Sequence, residues 1–159
     1  MNHSEEIKQF WSEFATGRDD VDRNTFFQVW HFGNTDRLAT ELLDLVLQGK
    51  KYGTGALPFE FETEPENTPT VGTYSVVTDF AGRPKCVVRT SRVRILRFNE
   101  VDAEHAFAEG EGDQSLEYWR GVHWDYFSRQ CIEFGREPSQ TMDVICEEFK
   151  LLYPSANRK

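Results

Sequence analysis

Apolar residues recur at helical spacing in three parts of the chain. Ile7, Phe10, Trp11, Phe14 and Ala15 form one stripe, preceded by Ser4, Glu5 and Glu6 and closed by Gly17. A hydroxyl followed by two acids predicts a helix start, because the hydroxyl caps free amides and the carboxylates complement the helix dipole. Leu38, Leu42, Leu45 and Val46 form a second stripe, widened by Leu43 and Leu47, with Asn34 or Thr35 as cap and Gly49 as stop. Leu116, Trp119, His123, Phe127 and Cys131 form the third, with Asp113 or Ser115 as cap. A short helix is predicted in the acidic run 101–111, broken at Gly110 and Gly112.

Between these stripes the period changes to two. From Thr25 to Phe32, Phe26, Trp30 and Phe32 share one parity and Phe27, Val29 and His31 the other, which predicts a strand partly buried on both faces. Trp30 or Phe32 offers a ring for base stacking, although a lone aromatic strand is more often core. Tyr74 to Thr78 and Cys86 to Phe98 read as a hairpin across the turn Asp79-Phe80-Ala81-Gly82. Met142 to Tyr153 reads as a last strand, and the acidic stretch from Pro58 to Pro69 as an edge strand or flap. This order predicts an α+β fold with a largely antiparallel sheet.

The 159 residues suit one compact domain, and 13 Phe, 5 Tyr and 4 Trp supply enough burial for an ordered core. A formal charge of −9 argues against a general nucleic-acid coat, which needs a basic surface. One local exception stands out: Arg83, Lys85, Arg89, Arg92, Arg94 and Arg97 cluster within fifteen residues, followed by Glu100, Asp102, Glu104, Glu109, Glu111, Asp113 and Glu117. The pair fits either a cleft with walls of opposite charge or a solvated strand beside a solvated helix. Cys86, Cys131 and Cys146 are too widely spaced for a zinc or redox motif, so reduced thiols in a cytoplasmic protein are expected. No stretch has the length of a membrane span.

The candidate chemistry gathers at Gly49-Lys50-Lys51-Tyr52-Gly53-Thr54-Gly55, just past the second helix. Three glycines permit tight turns and a close approach of peptide N–H groups to an anion or polar ligand, and two lysines and a threonine hydroxyl are displayed there. The spacing is wrong for a P-loop, so nucleoside triphosphates are set aside. Neither a cofactor nor a metal is expected.

Three stretches together resemble the ASCH domain of the PUA-like superfamily: Leu42 to Gly55, Val71-Gly72 opening the hairpin, and Ala108-Glu109-Gly110-Glu111-Gly112-Asp113 before the Trp119–His123–Phe127 helix. The resemblance runs from about Phe26 to Tyr153. It divides the chain into an N-terminal helical extension (1–22), as in the longer bacterial members, the domain itself (23–154) and a tail (155–159). It implies a small β-barrel flanked by helices, with a cleft for RNA or a modified pyrimidine nucleoside. Some relatives are amidohydrolases acting on N4-acetylcytidine, and others are reported to cleave single-stranded RNA.

In the amidohydrolase pattern a lysine precedes a threonine by three positions, and a glutamate follows the long strand. Lys51 and Thr54 keep that spacing, Glu111 matches the glutamate, and Glu109 is the other candidate. Tyr52-Gly53 stands where relatives carry a small or β-branched pair. As chemistry, Thr54 would need a base, and Lys51 serves only if burial or the like charge of Lys50 lowers its pKa. Glu111 would then protonate the leaving amine or orient water. A carboxylate close to Lys51 would instead raise its pKa and leave an ion pair. In the ribonuclease alternative Lys51 stabilises charge at phosphorus, while Ser128 or Tyr52 positions a phosphate oxygen. In a non-catalytic RNA-binding module, Arg92 and Arg94 meet phosphates.

Overall fold

The computed structural model describes residues 3–154, so the tail expected at 155–159 lies outside the described residues. The three predicted long helices are present. Ser4 caps α1 (Glu5–Ala15), its hydroxyl accepting from the Ile7 amide, and Thr35 caps α2 (Asp36–Leu47) through the Leu38 amide. Asp102 caps the short α3 (Ala103–Glu109), and Ser115 rather than Asp113 caps α4 (Leu116–Glu133).

The strands are β1 (Phe27–His31), β2 (Gly53–Ala56), β3 (Tyr74–Thr78), β4 (Pro84–Arg97) and β5 (Asp143–Tyr153). They form one sheet in the order β1-β3-β4-β5-β2, in which β1 runs parallel to β3 and every other pair is antiparallel. The long β4 pairs with β3 on one side and β5 on the other, with an irregularity between Thr90 and Arg92 that leaves Ser91 without a partner on β5. This has the form of a bulge, which bends a strand and re-aims its side chains.

Three expectations change. The second half of the glycine-rich segment is not a loop but the edge strand β2. The acidic stretch after it forms two short 3-10 turns, Pro58–Phe61 and Pro65–Asn67, rather than a strand. The sheet is also open, not a closed barrel: β1 and β2 are its two edges and do not pair with each other. β2 is only four residues long and its ladder is used on β5. The sheet still curls, because residues of both edges line one cavity.

Three hydrophobic clusters hold the layers together. On one face, α1 sets Ile7, Trp11 and Phe14 against Phe27, Tyr74 and Val87. Trp11 stacks on Phe27 at 4.3 Å between ring centres and donates its indole N–H to the Asp22 carbonyl at 2.9 Å. On the opposite face, Leu43 and Val46 of α2 meet Phe32, Val77, Cys86, Val88 and Phe149. The far end of the sheet is covered by α4, whose Trp119 and Phe127 pack with Leu57, Phe98, Val144 and Cys146. Burying one such ring as fully as Phe127 is worth about 1.5–3 kcal/mol. All three cysteines are buried and unpaired, and burial pushes the Cys86 and Cys146 thiols up to about 12. No helix among the described residues is long and apolar enough to cross a membrane.

Candidate functional site

Residues 49–56 leave α2 and enter β2, and the protein organises two different environments around them. The Leu45 carbonyl at the end of α2 accepts from the amides of both Lys50 and Lys51, at 2.9 and 3.0 Å. The Tyr52 amide then donates to Ala108 O at 2.8 Å, and its carbonyl accepts from Phe149 N at 2.9 Å. One residue thus ties α3 to β5.

The glycines serve this packing. A Cβ on Gly55 would lie 3.2 Å from Glu109 Oε2. One on Gly110, which has a φ of +73°, would lie 2.5 Å from the Lys50 carbonyl oxygen. The close approach expected of the loop glycines is therefore made at Gly53 and Gly55 by Ala108 and Glu109 of α3.

The first environment is a buried charge network. Lys51 Nζ donates to Glu109 Oε1 at 3.0 Å, to the Glu109 carbonyl at 3.2 Å and to Glu111 Oε2 at 2.9 Å, and it sits 5.4 Å from the centre of the Phe32 ring. An ammonium has three donors, and all three are used. Burial by itself pushes the Lys51 ammonium down, but the two carboxylates outweigh it and hold it above its ordinary value. Lys50 is exposed, and the lowering by like charge is not found.

Glu109 is the hub. Its Oε2 accepts from His105 Nε2 and Trp119 Nε1, both at 2.8 Å, and His123 Nε2 lies 3.4 Å away. Burial alone would raise this carboxyl, yet Lys51, followed by His123, holds it well below the usual range. Burial pushes His123 down, but the charge and hydrogen bond of Glu109, with Glu111 and the Trp119 carbonyl, together give a net rise. Its Nδ1 lies 2.9 Å from the Trp119 carbonyl and its ring stacks on Trp119, so it is a core histidine with a charged neighbour. Glu109, Glu111 and His123 bring ligand-type atoms within 4.8 Å of one another, but Lys51 already lies against both carboxylates as their cation.

The second environment is a cavity of about 290 Å³ between the two sheet edges. Gln28, Val29, Trp30, His31 and Phe32 line it from the β1 side, Thr54, Gly55 and Ala56 from β2, and Glu147 from β5. Glu60, Glu64, Asn67 and Pro69 also line it, as does Tyr126 of α4. Thr54 and Glu147 are direct cross-strand partners, so their Cβ atoms are about 4.5–5.5 Å apart on one face. Glu147 is 6% exposed and accepts from Thr90 Oγ1 at 2.6 Å. Burial pushes its carboxyl up, only partly offset by that bond. Among the described residues no lysine or arginine lines this cavity.

The anticipated site residues therefore separate. Lys51 and Glu111 meet, with Glu109 between them, while Thr54 stands on the cavity wall and Lys51 does not. Tyr52 is partly exposed beside them. Ser128 lies inside α4 rather than at a helix end, and its hydroxyl is buried without a partner among the described residues. Arg94 makes a two-pronged pair with Asp102 at 2.7 and 3.1 Å, and Arg92 reaches Glu104 at 3.1 Å and Glu148 at 3.5 Å. The Arg94 pair holds Asp102 down at about 2 and so secures the cap of α3, the helix that carries Glu109. The residue that sequence reasoning missed is Glu147. Its signal was an acid at the inward parity of β5, between Ile145 and Phe149.

A family model of the ASCH domain matches residues 28–153. Among solved structures, the chain is similar to the ASCH domain from Lactobacillus crispatus JV V101, with 30% identity, a TM-score of 0.87, and 96% of this chain and 98% of that one covered. It is also similar to protein EF3133 from Enterococcus faecalis V583, with 26% identity, a TM-score of 0.80, and 97% and 98% coverage. Hypothetical protein PH0355, at 19% identity and a TM-score of 0.51 over 78% of this chain and 99% of that one, shares the fold. No curated protein matches. With the family model covering the sheet, the network and the cavity, this chain belongs to the ASCH domain family.

Proposed function

We propose that this domain recognises a nucleobase, either an unpaired base of RNA or a modified pyrimidine nucleoside, in the cavity between β1 and β2. The observation that carries the reading is the wall itself, which sets the buried Glu147 carboxyl beside Thr54 with no lysine or arginine among the described residues. Three acids and no cation repel a phosphate. Base edges present amines and carbonyls, which carboxyl, amide and hydroxyl groups match. Trp30 and Tyr126 add aromatic surface suited to stacking. The volume lies at the small end of the range for ligand pockets, about 300 Å³ upward.

Lys51 supports the site from behind in this reading. A fully donated ammonium held between two carboxylates has neither a free lone pair nor a free N–H for substrate. Its work is to fix α3 against β2 and so hold the cavity's edge strand in place.

A second reading, hydrolysis of an N4-acylated cytidine, is favoured by one observation: a threonine hydroxyl and a carboxyl of raised pKa share the cavity floor. In that case Glu147 is the base for Thr54, and Lys51 is not. Titrating the protein with cytidine, N4-acetylcytidine, uridine and a short single-stranded RNA, with acetate and RNA fragments assayed in the same samples, tests both readings. Saturable binding is expected, weakened about tenfold by Thr54→Val, the loss of one hydrogen bond. Binding by none of these ligands overturns the proposal. Binding without acetate release or RNA cleavage leaves recognition and removes catalysis.

A further inference from the structure

The arginines expected to meet phosphates, Arg92 and Arg94, are committed to carboxylates, but three other cations are not. Arg18, Arg89 and Lys150 line a groove of about 330 Å³ together with Val71, Gly72, Thr90 and Ser91, and Asp20 is its one acid. None of the three makes an ion pair with a carboxylate among the described residues. In a chain of formal charge −9 this is a local reversal of sign.

The two guanidinium groups are held in place without being neutralised. Arg18 lies 4.4 Å over the Phe14 ring and donates to the Leu152 carbonyl at 3.4 Å. Arg89 lies 4.8 Å over the Tyr74 ring and donates to the Gly72 carbonyl at 3.2 Å. Each keeps further N–H donors of its fork for a ligand. The β4 irregularity falls here as well and leaves Ser91, exposed and unpaired with β5, at the groove wall. Asp20 accepts from the Tyr74 hydroxyl at 3.0 Å and pairs with none of the three cations, so the groove carries a net positive charge.

The groove and the cavity open on opposite faces of the sheet, Arg89 and Lys150 sharing the α1 face with Tyr74, and Glu147 the α2 face with Phe149, and they approach each other at the 69–71 segment. Pro69 lines the cavity and Val71 lines the groove, two residues apart in the chain. Thr90 lines the groove and donates its hydroxyl to Glu147 of the cavity. An acid-lined cavity beside a cation-lined groove has the polarity of a nucleotide, with a hydrogen-bonding base at one end and phosphate at the other.

We propose that the Arg18–Arg89–Lys150 groove binds the phosphates that flank a base seated in the cavity, so that the ligand is a nucleic-acid strand and not a free nucleoside. The base-side half of this statement rests on the function proposed above, while the phosphate-side half rests on the groove alone. The pairing explains how an acidic protein holds a polyanion: contact is confined to one short positive track, and the base is read where charge is negative.

The test compares the unaltered protein with the double variant Arg89→Gln/Lys150→Gln, its fold checked by circular dichroism. Lys150→Glu is the second variant, because that side chain is exposed and reversal there spares the Arg89–Tyr74 contact. The probes are a short single-stranded cytidine oligoribonucleotide, cytidine alone and inorganic polyphosphate, each titrated over a range of salt. For a single strand each neutralised phosphate contributes about 0.7 to the log–log salt slope, so removing two cations is expected to reduce the slope by about 1.4. Oligonucleotide affinity is expected to fall, most strongly at low salt, while cytidine binding is unchanged. An oligonucleotide bound with unchanged affinity and slope by both variants overturns the proposal, as does an oligonucleotide that the unaltered protein does not bind. Polyphosphate that binds as tightly as the oligonucleotide overturns the assignment to nucleic acid. If cytidine fails to bind but the oligonucleotide binds through the groove, the groove stands and the cavity reading falls.

Discussion

Glu109 and Glu147 are both almost completely buried, lie on neighbouring elements, and are moved in opposite directions. Glu109 has Lys51 at 3.0 Å and two ring N–H groups on its other oxygen, and it is held well below the usual carboxylate range. Glu147 has one threonine hydroxyl and an open cavity, and burial pushes it up. Each environment follows from which face of β2 it adjoins. Gly55 lets α3 bring Glu109 against one side, and Thr54 faces Glu147 on the other. The contrast separates a charged group that maintains the fold from one that the fold tolerates. A buried acid with a full set of partners has its desolvation offset, whereas one left beside a cavity is a standing cost that marks a place where ligand is expected.

The strongest test of this division is Lys51→Met. It strands two carboxylates, one fully buried, and is expected to destabilise the protein by about 3–5 kcal/mol in urea denaturation. Thr54→Val should leave that midpoint almost unmoved. Equal losses for the two variants would erase the distinction between scaffold and site.

A smaller loss is expected from Gly110→Ala, which forces a side chain into left-handed backbone against the Lys50 carbonyl. The strain is worth about 1–3 kcal/mol. The same denaturation curves measure it, and a neutral result would mean that α3 is not pressed onto the 50–51 segment.

The smallest effect has the opposite sign. Glu147→Gln is expected to stabilise the protein by about 0.5–2 kcal/mol near pH 8, the range typical of relieving a site kept for function. A carboxyl raised above its ordinary 4.5 contributes fully below that pH and costs stability as it ionises. The advantage of the variant should therefore open above pH 4.5 and vanish near pH 4. Glu109 runs the other way: its contribution is complete above 4.5 and is lost as pH falls toward its depressed folded value. Thermal melts from pH 2 to 8 on both proteins would expose the two trends together, Glu147 above 4.5 and Glu109 below it. A constant difference across that range would contradict the assignment of Glu147 as a buried, costly acid.

Much of the scaffold was legible because its causes are local. Ser4, Thr35 and Ser115 cap the helices whose stripes they precede, and the turn at Asp79–Gly82 joins the hairpin as the pattern of residues predicts. Glu111 beside Lys51 was legible too, from the lysine and glutamate motifs of the resemblance. The rest turns on pairings between residues far apart in the chain. Arg92 and Arg94 look like a free basic strand until α3 folds over them and supplies Glu104 and Asp102. The groove cations, Arg18, Arg89 and Lys150, come from three separate segments and meet only there.

The sequence by itself determined the helices and the strands β1, β3, β4 and β5, because caps, turns and apolar periods act over a few residues, whereas β2 has no apolar period and becomes a strand only by pairing with β5. The tertiary structure alone decided that β1 runs parallel beside β3, that the sheet stays open, and that Glu109 and Glu147 fall on opposite sides of β2. Register and helix docking are set by the sum of many distant contacts, and no single stretch of the chain contains them.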